Sequence, residues 1–285
     1  MGGSRLSLLA LAPAFVGCAG TVSATTPGGD AETTTTSAII VVERNIDPTG
    51  TGHAQTSARF LRVPSSLPTD EALRSIGAAL DLPARGTCAS STPAPDDVNS
   101  DERPPFVDLV DVGTVSVEAD GTETHLLPRR LPDVTDIVSG VVYARAADPG
   151  ILPPATRYVL HVGGLGDLPA IDVMATAPAD ASDVHFSGEM TPGVLVATSG
   201  IEVSWPAEAA AESIYVDVKP AGLRCTLGDA SAGGTLGHAS LSSSLFDDAG
   251  TLVVHRLHRE PLQALGLTAG EIRFDFARTL TYVRH

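Results

Sequence analysis

The sequence predicts a mostly β protein, an antiparallel β-sandwich that also contains one or two short helices. Apolar and polar residues alternate along several segments, a pattern that places one side of a strand in a core and the other in water. The clearest alternating segments are residues 201–205, 214–218, 223–227 and 272–276. Turn signals ending in Gly121, Gly150 and Gly250 separate such runs. Many short strands between turns indicate sandwich architecture.

The first half adds two strands and the clearest helix. Residues 39–44 and 59–63 are rich in branched side chains and predict strands. Thr69 is a plausible N-cap, and Leu73, Ile76 and Leu80 recur on one face, which predicts a helix over 69–80. Two shorter helices are predicted at 241–246 and 261–265. The proline-rich, acidic stretch within 87–105 predicts a loop, with a possible linker at 89–105.

The N-terminus resembles the signal peptide and lipobox of a bacterial lipoprotein. Arg5 precedes about a dozen mostly apolar residues, too few to span a bilayer, and Gly17 stands before Cys18. This resemblance implies a signal peptide at 1–17 and a mature chain whose Cys18 carries fatty acyl groups such as palmitate. Residues 18–37 would be the lipid anchor and a disordered tether. The alternative is an ordinary cleaved signal peptide with a chance cysteine.

The predicted location is the cell envelope, with the chain held in the membrane through the lipid on Cys18. Ala19 and Gly20 follow the cysteine, so an Asp that would retain the protein at the inner membrane is absent, which favours the outer membrane. The net charge is −16, with 34 acidic and 18 basic residues. No basic cluster is present, which argues against nucleic-acid binding.

The remaining cysteines form an even pair in an oxidising compartment. With Cys18 used by the lipid, Cys88 and Cys225 are predicted to form a disulfide, the alternative being two buried free thiols. A true immunoglobulin domain would place Trp205 between two core cysteines close in sequence. Cys88 lies far upstream of Trp205, so the predicted sandwich is immunoglobulin-like in architecture only.

Five short stretches of the body resemble a group of uncharacterised bacterial lipoproteins that have one β-sandwich-like body. They are Leu80-Asp-Leu-Pro-Ala-Arg-Gly-Thr-Cys88, Asp111-Val-Gly-Thr-Val-Ser-Val117, residues 158–169, Ile201-Glu-Val-Ser-Trp205 and Leu223-Arg-Cys-Thr-Leu227. Their order and spacing agree over most of residues 38–285, the predicted body. The resemblance implies a lipid-anchored exported protein with paired cysteines. It implies no catalytic residue and no activity.

Two motifs were weighed as metal sites. His255 and His258 are three apart on a predicted strand and therefore point to opposite faces, so solvent-facing or edge histidines are favoured over a zinc site. Asp97-Val-Asn-Ser-Asp101 resembles the start of a calcium loop, but Glu102 replaces the turn glycine. No metal or cofactor is therefore predicted, and a solvated acidic loop is favoured.

Other motifs fail as catalytic sites. Gly163-Gly-Leu-Gly-Asp167 is interpreted as a sharp turn rather than a phosphate cradle, because no helix with a lysine follows. His185 and Ser187 are interpreted as chance neighbours. Asp108 and Asp111 are interpreted as surface charge.

No assembled catalytic set emerges, so the sequence predicts a non-catalytic, lipid-anchored envelope protein that binds a protein or a glycan. Two alternatives stay open: an envelope hydrolase whose site is assembled from distant residues, and a calcium- or glycan-binding module. A pocket that holds a histidine with a serine, or a carboxylate pair, within hydrogen-bond reach would favour the hydrolase. Convergence of any two of His161, His185, His238 and His255 on one cavity would overturn the non-catalytic interpretation.

Overall fold

The computed structural model describes residues 33–91, 107–131, 138–148, 150, 152–191, 193–197, 200–206, 212–227 and 236–284. These residues belong to one compact unit. Strands dominate it, and its sheets pack face to face rather than closing into a barrel. The predicted mostly β, sandwich-like class is confirmed.

The largest sheet, here called the main sheet, has twelve strands among the described residues. These are β1 Thr34–Ile46, β2 Gly52–Pro64, β3 Thr87–Ser90, β4 Val107–Leu109, β7 Leu127–Leu131, β8 Val138–Ala147, β12 Glu189–Thr191, β13 Val194–Ala197, β15 Glu212–Lys219, β16 Leu223–Thr226, β18 Ala249–Pro261 and β19 Ala269–Arg284. Its principal order is β3-β16-β15-β18-β19-β1-β2-β4-β8-β7, and β13 also pairs with β19.

Two smaller sheets pack on the main sheet. One has the order β10-β9-β5-β6 and the other β11-β14-β17. Their strands are β5 Val115–Ala119, β6 Thr122–His125, β9 Arg157–Val162, β10 Ile171–Thr176, β11 His185–Phe186, β14 Ile201–Pro206 and β17 Leu236–Leu241.

Both small sheets cover the same face of the main sheet. Phe274 and Phe276 of β19 lie in the core beneath the four-stranded sheet, and Leu280 and Tyr282 lie in the core beneath the three-stranded sheet. These residues are separated by even numbers along one strand, so their side chains leave the sheet on one side. We call this side the covered face and the other the open face.

A helix covers one end of the open face. It is α1, Thr69–Ser75, and with the segment after it, it packs on Ile39, Val41 and Leu61. The predicted helix extended to Leu80, but it ends five residues earlier. Gly77 adopts a positive φ of 64°, and the Ala78 amide bonds back to the Leu73 carbonyl. The glycine therefore terminates the helix.

Several predicted boundaries are wrong. β1 begins at Thr34, so the last residues of the predicted tether belong to the sheet. Residues 87–90 form β3, so the predicted linker at 89–105 overlaps a strand, and residues 92–105 lie outside the described part. The predicted helix at 241–246 is a 3₁₀ turn, Ser243–Leu245, and no helix forms at 261–265.

Not all pairing is antiparallel. β1 runs parallel to β19, β13 parallel to β19 and β4 parallel to β8. The alternating pattern fixes which face a residue takes but carries no information on strand direction. The remaining strand pairs are antiparallel, as predicted.

Cys88 and Cys225 are joined by a disulfide, the pairing that the sequence predicts. The two residues are direct partners on β3 and β16. β3 buries none of its residues, so the disulfide and the ladder to β16 attach it to the sheet. Across the described residues, no helix is long and apolar enough to cross a membrane.

Candidate functional site

The open face carries a group of ionisable side chains on neighbouring strands. We call it the polar cluster, and its members are Tyr215, Asp217, Arg224, His255 and Asp275. Tyr215 and His255 are direct partners on β15 and β18, and Asp217 and Arg224 are partners on β15 and β16. Asp275 lies on β19, next to β18. The register of four strands thus brings together residues that are distant in sequence.

Asp275 is the centre of the cluster. One carboxylate oxygen accepts a hydrogen bond from the Tyr215 hydroxyl at 2.6 Å, and the other lies 2.8 Å from His255 Nδ1. Only 14% of the Asp275 side chain and 16% of the His255 side chain are exposed. The carboxylate therefore fixes the orientation of both rings.

The remaining members pack beside these rings. The Tyr215 and His255 rings stack with centroids 4.2 Å apart, and the Arg224 guanidinium lies 5.0 Å from the Tyr215 centroid. Arg224 donates two hydrogen bonds to Asp217, at 2.7 and 2.8 Å. A bidentate pair and stacked rings hold their geometry well, so the cluster is preorganised.

The cluster shifts the pKa values of Asp275 and Tyr215. Burial acts to raise the pKa of Asp275, but His255, the Tyr215 hydroxyl and Arg224 favour the carboxylate and bring the net pKa below its usual value. Burial and the neighbouring Asp275 raise the pKa of Tyr215 well above 10. At neutral pH, Asp275 is therefore ionised and Tyr215 carries its proton.

A groove of about 390 Å³ lies beside the cluster. His255 and Asp275 form one wall, and Glu43, His53 and Gln55 of β1 and β2 line it from the other side. Small side chains leave the space open, among them Ala146 and Ala277. Within the described part of the chain, the side chains of His53 and Gln55 make no hydrogen bond. They are therefore available to a ligand.

Glu43 and Asp275 are partners in the β1–β19 register and differ in protonation behaviour. Glu43 is exposed to solvent on the groove, and nearby protein atoms partly desolvate its carboxyl group. This desolvation, followed by the charge of Asp275, raises the pKa of Glu43. The groove thus holds two different carboxyl groups. Glu43 retains its proton more readily than an ordinary glutamic acid, and Asp275 loses its proton more readily than an ordinary aspartic acid.

A smaller recess of about 180 Å³ continues from the groove toward α1 and shares Glu43, Gln55 and Asp275 with it. Arg273 closes this end, because it donates to the Ala78 carbonyl at 3.0 Å and to Glu271 at 2.8 Å. The described residues contain no group of three His, Cys, Asp or Glu side chains placed to hold a metal ion. The arrangement can bind polar groups and can exchange protons.

His255 was weighed in the sequence as a metal ligand and is instead part of the polar cluster. His255 and His258 face opposite sides of β18, in agreement with the pattern. Neither is solvent-facing, which corrects the expectation: His258 is 8% exposed and its Nε2 lies 3.1 Å from Glu260.

The other three histidines singled out in the sequence do not share a cavity with His255. His161 lies on the four-stranded sheet, 2.7 Å from Asp172. His238 lines a different opening, beside the disulfide. His185 is on β11, and Ser187 accepts a hydrogen bond from the Glu202 amide, a structural role.

The remaining motifs have local roles. Asp111, interpreted as surface charge, has a side chain that is 40% exposed and that also accepts a hydrogen bond from the Tyr143 hydroxyl at 2.7 Å. Gly164 and Gly166 adopt positive φ in the turn after β9, as the glycine-rich motif indicates. Asp97, Asp101 and the lipidation candidate Cys18 lie outside the described residues.

Sequence reasoning missed Glu43, His53, Tyr215 and Asp275 as site residues. The alternating pattern assigned Tyr215 to the water-facing side, whereas it is 1% exposed. The signal that was present is the recurrence of ionisable residues at polar positions of strands 213–217, 253–257 and 273–277. The strand order that brings them together cannot be read from the pattern.

No protein-family model matches the chain, and no curated protein sequence matches it. Among solved structures, the chain is similar to the Fcho1 Mu homology domain of Danio rerio with a bound Eps15 peptide. The two share 10% identity with a TM-score of 0.24, and the match covers 88% of this chain and 97% of that one. At this level the likeness carries no argument about function.

Proposed function

We propose that this protein is an exported, lipid-anchored binding protein of the cell envelope, and that the groove beside the polar cluster is its ligand site. The observation that carries the proposal is the groove itself. Its volume of about 390 Å³ falls within the range of small-molecule sites, and its polar groups converge on one space.

The lining of the groove favours a hydroxyl-bearing, uncharged ligand, for which a sugar unit of an envelope glycan is the fitting class. Glu43, His53 and Gln55 offer both donors and acceptors of hydrogen bonds. The one arginine of the lining, Arg44, is already paired with Asp180. The carboxyl groups of Glu43 and Asp275 lie on the groove, whereas Arg59 lines the adjoining recess and not the groove, so an anionic ligand is disfavoured.

The test is a titration of the body, residues 33–285, with neutral mono- and disaccharides, including N-acetylated amino sugars, followed by calorimetry. Gln55→Ala should weaken binding about fivefold, because a hydrogen bond contributes about 1 kcal/mol. Glu202→Ala, an exposed change on β14, is the matched control and should bind as the parent does. Absence of saccharide binding, or equal binding by Gln55→Ala, would refute the site.

The anchor has a separate test. In the full chain, Cys18→Ala should leave the fold intact and move the protein from the membrane fraction to the soluble fraction, because the acyl groups supply the attachment. Conservative replacement of Ala19 should leave it in the membrane. A Cys18→Ala protein that still sediments with membranes would overturn the anchor and leave the groove proposal unaffected.

One observation favours a second candidate, an envelope hydrolase. Glu43 has a raised pKa and Asp275 a lowered one, and such a pair can serve as proton donor and charged partner in glycoside hydrolysis. Both oxygens of Asp275 are already engaged by Tyr215 and His255, which is why binding is placed first.

Chromogenic aryl glycosides separate the two functions. A hydrolase would release the aryl group, and Glu43→Gln would abolish that release while saccharide binding persists. A pure binding protein would leave every glycoside intact. Gln55→Ala is the control, because it should lower affinity for the glycoside without removing the proton donor.

A further inference from the structure

The three-stranded sheet ends in an unpaired strand. Beside this strand is an opening in the core beneath the three-stranded sheet, which we call the second core. β17 pairs with β14 on one edge, and no strand in the described part of the chain pairs with its other edge. Beside that edge lies an opening of about 430 Å³, which we call the strand slot. It is lined by His238, Ser240, Leu241 and Leu245 on one side and by Cys88 and Cys225 on the other.

The backbone groups of β17 that face the slot follow from the hydrogen bonds of β14. The Glu202 carbonyl accepts a hydrogen bond from the Ser187 amide at 2.8 Å, on the side of β11. Its backbone groups thus point away from β17, so Glu202 and Ser240 form a non-hydrogen-bonded pair of the β14–β17 ladder. The N–H and C=O groups of Ser240, and of His238 two residues earlier, therefore point to the unpaired edge.

This edge lacks the features by which proteins protect exposed strands. Charges, prolines and bulges usually block such edges. β7, at the end of the main sheet, carries Pro128, Arg129 and Arg130. β17 has the sequence Leu-Gly-His-Ala-Ser-Leu, without proline, lysine or arginine. Unlike β7, β17 is therefore not blocked by these residue types, so a further strand can pair with it.

We propose that an extended segment of a different protein adds to the three-stranded sheet at the free edge of β17 and fills the strand slot. Main-chain hydrogen bonds to His238 and Ser240 would supply affinity, and alternate apolar side chains would enter the slot. The segment would be uncharged, because among the described residues of the lining only His238 has an ionisable side chain. The net charge of −16 argues against a second copy as the occupant.

The test uses defined peptides on the body, residues 33–285. The probes are acetylated and amidated octapeptides of alternating Thr and Val, with Ala, Leu or Ile in place of Val in a panel. Hydrogen exchange of the His238 and Ser240 amides should slow at least tenfold with a peptide that binds, whereas Asp in place of Thr should abolish the effect. Methylation of alternate peptide nitrogens should also abolish the slowing. Because this control alters only the peptide, it does not depend on the folding of any protein variant.

Matched variants locate the site. Ser240→Pro removes the outward N–H and leaves the ladder to β14, so peptide affinity should fall at least tenfold. Ser240→Ala keeps the N–H and should bind within twofold of the parent. Equal binding by Ser240→Pro, or no amide protection by any peptide of the panel, overturns the proposal. Slow exchange of both amides without peptide, or dimerisation through β17, also overturns it, because the edge would already be occupied.

Discussion

The two faces of the main sheet use the same strands for different purposes. On β19, Phe274 and Phe276 fill the core on the covered face, and Asp275 between them orients two rings on the open face. On β18, Val254 is buried in the second core while its neighbour His255 lines the groove. Adjacent residues on a strand therefore contribute alternately to the core and to the candidate site, because successive side chains leave the sheet on opposite sides.

Charges differ between the faces in a similar way. On the covered face, Arg256 is fully buried, and Glu212 and the Pro206 carbonyl accept its hydrogen bonds. On the open face, Asp275 serves several partners and remains near solvent. On the covered face, Arg256 is neutralised by its own partners. On the open face, the charged side chains form the polar cluster, and the groove beside it contains side chains whose hydrogen-bonding groups are unused among the described residues.

The largest effect should come from the covered face. Phe274→Ala removes a fully buried ring that contacts Tyr158 and Phe276 and should destabilise the fold by about 3–5 kcal/mol. The melting temperature should fall by roughly 10 °C in calorimetry. Saccharide affinity measured below the transition should be retained. A variant as stable as the parent would contradict the assignment of the core.

Asp275→Asn should cost about 2–3 kcal/mol near neutral pH, because it weakens bonds to Tyr215 and His255. The lowered pKa of Asp275 contributes stability that is present above its unfolded value near 4 and is lost as pH falls through the lower folded value. Denaturant unfolding between pH 2 and 7 should show this loss in the parent and a weaker dependence in the variant. Asp167→Asn, whose side chain is 97% exposed, should behave as the parent does.

Tyr143→Phe should have a moderate effect, about 1–2 kcal/mol. The Tyr143 hydroxyl donates to Asp111 and accepts from the Val112 amide at 2.9 Å. Burial, followed by the bond to Asp111, raises its pKa to about 12. The associated stability is present below pH 10 and is lost as pH rises from 10 to 12. Unfolding followed across that range should show a shallower decline in Tyr143→Phe, and an unchanged slope would refute the assignment.

Gln55→Ala should have the smallest effect on stability, within about 0.5 kcal/mol, since its side chain is exposed in the groove. The same variant is expected to lose about fivefold in saccharide affinity. Chemical denaturation measured beside calorimetric binding would separate the two quantities. A large loss of stability would show that Gln55 belongs to the structural framework of the sheet.

The strands and their buried sides could be predicted from the sequence, but the pairing of these strands into sheets could not. Alternation around Trp205 and Cys225 identified strands and their buried sides, because a strand has a period of two. Glu43 and Asp275 meet only because β1 pairs with β19, a choice made by packing over a long stretch of chain. Gly77 is visible in the sequence, but its role in ending α1 required the backbone conformation.

The parallel pairing of β1 with β19 has a consequence for how the protein is made. The first described strand finds its neighbour in residues 269–284, and β19 lies between β18 and β1 inside the main sheet. A ribosome must therefore deliver nearly all of the described chain before the middle of this sheet can form. Long-range pairing of this kind slows folding. Under the export that we propose, this delay would leave time for the chain to cross the membrane while it is still unfolded.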